Sequence, residues 1–187
     1  GDHRAWQKES FFEASCRVPF LVSWPRQLPA GQRHQGLTAL TDLIGLVSAA
    51  SGEPVLREGH PLLANLRGEV PSRESLIGMY GTPGTRLFKC MVRRDHWKYI
   101  WLANGGRELL FDLATDPGET RNACAAEPEM AARLRAEAER ALANREFTRP
   151  ALEGAKLRAL PFAPFPRQRI KQFARGITDF GPTSVPA

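Results

Sequence analysis

The 187 residues are 42% hydrophobic and 25% charged, which is enough apolar material for a core at a charge density ordinary for a soluble domain. The formal net charge of +6 is not spread evenly: residues 1–143 hold 18 Lys+Arg against 17 Asp+Glu, whereas residues 144–187 hold 8 against 3. A basic tail without a helix-turn-helix, RNP string or zinc knuckle disfavours nucleic acid as a partner, and no apolar run approaches the roughly 20 residues of a membrane span.

Cys16, Cys90 and Cys124 are odd in number and far apart, with no C-x-x-C or Cys/His cluster. They predict free, partly buried thiols in a reducing compartment and argue against a zinc site. No signal-peptide pattern opens the chain. The expectation is a soluble protein, cytoplasmic or periplasmic, with the compartment left open.

In chain order, a polar opening (Asp2, His3, Arg4, Lys8) leads past Phe11–Phe12 to Arg17-Val18-Pro19 and the run Phe20-Leu21-Val22, closed by Trp24-Pro25. Val18–Ser23 is predicted to be a strand, with Pro19 near its start where a missing N–H is tolerated. Arg26–Gly36 is a surface connection. Leu40, Leu43, Ile44, Leu46, Val47 and Ala50 recur at helical spacing and stop at Gly52, predicting a core helix. Residues 53–75, broken by Pro54, Pro61, Gly68 and Pro71, read as a loop.

Arg86–Arg93, Trp97–Leu102 and Glu108–Leu113 are three strand-like runs, separated by turns short enough for an antiparallel meander. Phe88, Cys90 and Val92 alternate, as do Trp97, Tyr99 and Trp101, so each strand offers one face to a core. Tyr80, within Gly78-Met79-Tyr80-Gly81-Thr82-Pro83-Gly84, is read onto a glycine-rich loop, either lining a cleft or packed on its own turn. Asp116-Pro117-Gly118 turns the chain toward a helix over Pro128–Ala143, whose stripe of Met130, Leu134, Ala138 and Leu142 crosses the small sheet. From Asn144 onward six prolines alternate with too many apolar groups for a solvated linker, which predicts an extended strap packed on its own protein or on a neighbouring subunit.

Two strings stand out as wholes. Gly1-Asp2-His3, Trp6, Lys8, Ser10-Phe11-Phe12-Glu13, Arg17-Val18-Pro19 and Trp24-Pro25 form the first. Met91-Val92-Arg93-Arg94, Trp97-Lys98-Tyr99-Ile100, Leu110-Phe111-Asp112-Leu113 and Asp116-Pro117-Gly118-Glu119 form the second. Their order and spacing resemble the C-terminal part of type I sulfatases, formylglycine-dependent hydrolases of the alkaline-phosphatase-like superfamily. Arg4, Ala5 and Gln7 depart from that family's usual loop wording. Its nucleophile string, C-x-[PA]-S-R, and its Asp-Asp and Asp-[HN]-Gly metal motifs are absent, and Cys16 has the wrong neighbours to replace the nucleophile.

The resemblance implies an α/β fold class: the C-terminal part of the large sulfatase-type sheet domain (1–75), a small α+β subdomain of antiparallel sheet plus one helix (76–145), and an extended Pro/Arg-rich tail (146–187). It implies sulfate-monoester hydrolysis, with Lys8 as the catalytic group on the substrate oxygens, since an ammonium is a compact charge suited to that task. His3 and Tyr80 are expected near the substrate, and Arg17 in an ion pair under the loop. His34, His60 and His96 are expected at the surface.

Formylglycine and a divalent cation, Ca²⁺ or Mg²⁺, are expected in the intact enzyme, with neither held by this chain. Expected partners are a sulfated small molecule or sugar, the N-terminal part of the same protein, and a second copy through the tail. Neither nucleic acid nor membrane is expected. The alternatives are a phosphonate or phosphate ester hydrolase of the same superfamily and a non-catalytic assembly module.

Overall fold

Alternating apolar residues between Ser75 and Asp112, punctuated by tight turns, build a four-stranded antiparallel meander. In the computed structural model, which describes residues 9–52 and 59–164, β1 (Ser75–Tyr80), β2 (Lys89–Arg94), β3 (Trp97–Leu102) and β4 (Arg107–Asp112) pair in chain order. The register sets Val92 opposite Tyr99 and Tyr99 opposite Leu110, so Cys90, Val92, Tyr99, Trp101 and Leu110 share one face.

Helix α4, Pro128–Ala143 as predicted, covers that face with Ala131, Leu134, Ala138 and Leu142 all buried. Pro128 opens the helix where no intrahelical N–H is needed, and Glu129 and Arg140 sit at the ends that favour their charges.

The opposite face is also covered. Met91, Ile100 and Phe111 are buried there beneath Phe11 and Phe12 of the opening segment. The near-continuous apolar run Trp97-Lys98-Tyr99-Ile100-Trp101 is the pattern of a strand enclosed on both sides. At the β3–β4 turn, Gly106 takes φ +58°, and a Cβ there would come within 2.7 Å of Ala159.

The structure corrects four expectations. The sheet has four strands rather than three, because Ser75–Tyr80 pairs along the whole of β2, and Tyr80 therefore ends a strand and is not a loop residue. Gly78, read as a loop glycine, is a point of close approach between strand and overlying ring. Residues 59–75, expected as loop, contain the short helix α3 (Leu62–Leu66). Val18–Ser23 forms no strand: a strand exists only by pairing, and the described residues provide no neighbour, so Val18, Phe20, Leu21 and Val22 stand exposed.

The predicted helix is present as α2 (Asp42–Ser51), ended by left-handed Gly52. Its apolar side is largely uncovered, with Leu43, Ile44 and Val47 exposed, as is Leu40 just before it. Buried Asp42 ties this region together, accepting from the Ala39 N–H (2.8 Å), the His60 N–H (2.9 Å) and the Arg73 guanidinium.

The first part of the tail straps back on its own unit. A 3₁₀ turn (Glu146–Ala151) and the two-residue strands β5 (Leu152–Glu153) and β6 (Lys156–Leu157) follow α4, with Glu139 accepting the Leu157 N–H. Asn104 then clasps Ala163 in both directions, donating to its carbonyl (2.8 Å) and accepting from its N–H (2.9 Å). Among the described residues, no helix is long and apolar enough to cross a membrane.

Candidate functional site

Lys8 and His3 lie outside the described residues, so the site is built outward from Glu9. The carbonyl of Glu9 accepts from the Lys89 ammonium at the start of β2. Tyr80, opposite Lys89 in the register, donates its hydroxyl to the Glu9 carboxylate, which raises its pKa above the ordinary tyrosine value. The Lys89 ammonium stands 4.8 Å from the Tyr80 ring centroid. Burial holds that ammonium below its usual pKa, with Glu9 opposing. Tyr80 is 37% exposed and adjoins the residue that follows Lys8.

Further along, the segment is pressed onto the sheet. A Cβ on Gly78 would stand 2.8 Å from Cε1 of Phe11 and 3.1 Å from Cε of Met91, so only glycine leaves room for the Phe11 ring. Phe12 meets Phe111 at 5.8 Å between centroids, tilted by 54°.

Helix α1 (Glu13–Cys16) starts at Phe12, which has no capping side chain. The missing cap comes from 106 residues away: Oε2 of Glu119 accepts the Glu13 N–H at 2.5 Å. The other oxygen, Oε1, accepts from Lys98 at 2.9 Å.

Lys98, 1% exposed, is the centre of this joint. Its ammonium donates to the Phe11 carbonyl (2.8 Å), Glu13 Oε1 (2.5 Å) and Glu119 Oε1 (2.9 Å), three oxygens for three N–H bonds. Cys16 Sγ lies 3.8 Å from the same nitrogen and donates to the Phe11 carbonyl. Burial raises that thiol's pKa, with the charge of Lys98 opposing.

Arg93 stands nearby as a second cation. Burial lowers its pKa while Glu13 and Asp95 work in the other direction, and it donates to the Trp97 carbonyl. Glu119 adopts φ +53°, a left-handed conformation that costs a non-glycine residue about 1 kcal/mol. The Asp116 carboxylate holds the turn, accepting from the Thr120 hydroxyl and the Arg121 N–H.

Glu13 and Phe12 of the first string thus meet Lys98, Phe111 and Glu119 of the second. Arg17, expected in the ion pair under this loop, is exposed, and among the described residues no carboxylate pairs with it. Lys98 takes that place. The signal for Lys98 was a lysine in an otherwise apolar strand flanked by Trp97 and Tyr99, with Glu119 at the following turn. Of the surface histidines, His60 contacts the Pro71 carbonyl and His96 lies 3.8 Å from Asp112.

The described residues do not fit a divalent cation. No group of three potential ligands exists among them, and the carboxylates that do converge, Glu13 and Glu119, are occupied by an ammonium.

Comparison with known proteins gives the family. Residues 1–146 match the family described as N-sulphoglucosamine sulphohydrolase, C-terminal. The chain is 31% identical over 142 residues to arylsulfatase K of Homo sapiens, covering 69% of this chain and 26% of that protein. It is 27% identical over 146 residues to the N-acetylgalactosamine-6-O-sulfatase of Bacteroides thetaiotaomicron, covering 68% and 27%.

Among solved structures, BT4656 in complex with its substrate D-glucosamine-2-N,6-O-disulfate superposes with a TM-score of 0.54 at 17% identity, over 67% of this chain and 28% of that one. This chain belongs to the N-sulphoglucosamine sulphohydrolase C-terminal family, and the relatives it is similar to are sulfatases. It spans about a quarter of the length of the curated relatives it matches.

Proposed function

We propose that the protein carrying this chain hydrolyses a sulfate monoester of a small molecule or sugar, with Lys8 binding the non-bridging sulfate oxygens and His3 and Tyr80 lining the substrate site. The observation that carries this reading is the joint directly after Lys8. Glu9 is held by Lys89 and Tyr80, and Phe11 and Glu13 by Lys98, so residues 9–13, which follow Lys8 directly in sequence, are fixed to a rigid sheet. Such fixation is what electrostatic stabilisation requires, because a cation lowers the barrier only if it already stands where charge develops. A sulfated substrate fits the names of the relatives, which include a sulfatase of an amino sugar.

In this reading, residues 1–75 complete the large sheet domain, 76–145 form the small subdomain and 146–187 the tail. Formylglycine and the divalent cation, which would supply the nucleophile and a Lewis acid, belong to other parts of the polypeptide. The extended Val18–Ser23 and the exposed side of α2 then lie against that larger sheet.

Lys8→Ala in the intact protein is expected to lower kcat on an aryl sulfate by about 100- to 1,000-fold. Near-normal turnover would remove Lys8 from this role. Faster hydrolysis of a phosphonate monoester than of the matching sulfate would reassign the protein to phosphonate chemistry.

A further inference from the structure

We propose that Lys98, Glu13 and Glu119 act as a positioning clamp that orders residues 9–17, the stretch following Lys8, and through them supports turnover; the inference rests on the reading of Lys8 given above. The three side chains come from a strand, a loop helix and a turn, and their charged groups meet within 2.9 Å.

Stability alone does not account for them. A buried ammonium and two largely buried carboxylates are costly to desolvate, and an apolar residue at position 98 would fill the same space without that cost. What ions add is direction. The Lys98 ammonium selects three particular oxygens, one of them the Phe11 carbonyl, and so fixes the backbone of the loop as well as its side chains.

Glu119 supports the same reading, holding a left-handed backbone conformation that glycine would adopt without strain while its two oxygens bridge Lys98 and the Glu13 N–H. From Glu13 the constraint runs through Phe11, wedged over Gly78, to Glu9, held by Lys89 and Tyr80. Lys8 is the next residue. Lys98 does not reach the substrate in this scheme; it acts through the loop.

The test uses the intact protein carrying Glu13→Gln or Lys98→Met, with Leu142→Val as a comparator that loosens the core under α4 without touching the clamp. Amide hydrogen exchange is measured over residues 9–17 and over α4, and kcat and KM are measured on an aryl sulfate. Glu13→Gln, which keeps shape and removes charge, is expected to speed exchange in 9–17 at least tenfold and leave α4 unchanged. Its kcat is expected to fall about 100-fold while Leu142→Val stays within about twofold at equal or lower melting temperature. Lys98→Met should do the same more severely.

Unchanged exchange over 9–17 in Glu13→Gln overturns the clamp. So does a kcat loss matched by Leu142→Val, or failure of Glu13→Gln to fold, since either result makes the triad a stability element only. If the unmodified protein hydrolyses no sulfate ester, the function reading fails while the exchange experiment still decides whether the clamp orders the loop.

Discussion

Buried polar and ionisable side chains carry most of the information at the residue scale. Cys90 lies wholly inside the sheet–helix core, and burial pushes its thiol up to about 12 from an ordinary 9.0. Because the folded value is the higher one, this group's contribution to stability is complete below about pH 9 and is lost as pH rises toward 12. The unfolding free energy should therefore fall with pH across that window by up to about 1.4 kcal/mol per unit more than in Cys90→Ala. Urea titrations of both proteins at several alkaline pH values measure the difference, and parallel slopes would contradict it.

Tyr80 stands out from its glycine-rich surroundings in the sequence, whereas its partner Lys89 does not. No sequence pattern pairs position 80 with position 89, and only the β1–β2 register does so. Within Trp97-Lys98-Tyr99-Ile100, the role of Lys98 is hidden for the same reason: its partners are 87, 85 and 21 residues away.

Elements whose signal is local were legible. Helix α4 was readable to its ends, because a proline start and a 3.6-residue stripe need no distant partner. Leu134 sits at the centre of that stripe with no exposure, so Leu134→Ala should cost about 2–5 kcal/mol in chemical denaturation. A loss under 1 kcal/mol would mean that α4 is not the lid of this core. Strands β2, β3 and β4 were found within a few residues, while β1 was missed because Gly78 looked like a loop residue. In the folded protein that glycine is required by the Phe11 ring lying over it. Val18–Ser23 shows the opposite failure, since its composition suits a strand but backbone hydrogen bonds need a second chain segment.

For the whole molecule, the two faces of the small sheet divide the labour. One face makes the core with α4, and the other receives residues 9–16, the stretch that follows the candidate active-site lysine in sequence. A different surface is uncovered. Val18, Phe20, Leu21 (89% exposed), Val22, Leu40, Leu43, Ile44 and Val47 are apolar and open, a pattern that marks an interaction surface. This chain expressed by itself should bind an environment-sensitive apolar dye and self-associate, and Leu21→Lys with Val47→Glu should reduce both. A monodisperse monomer without dye binding would argue against an interface there.

Composition, periodicity and two ordered strings were enough to determine the family, the meander and the crossing helix, since each depends on residues close in sequence. Tertiary structure alone decided that Glu13, Lys98 and Glu119 converge, that the sheet is covered on both faces and that Arg17 stays in solvent. The physical reason is that a buried ion pair is defined by desolvation and by partners brought together in folding, and neither is written in local spacing.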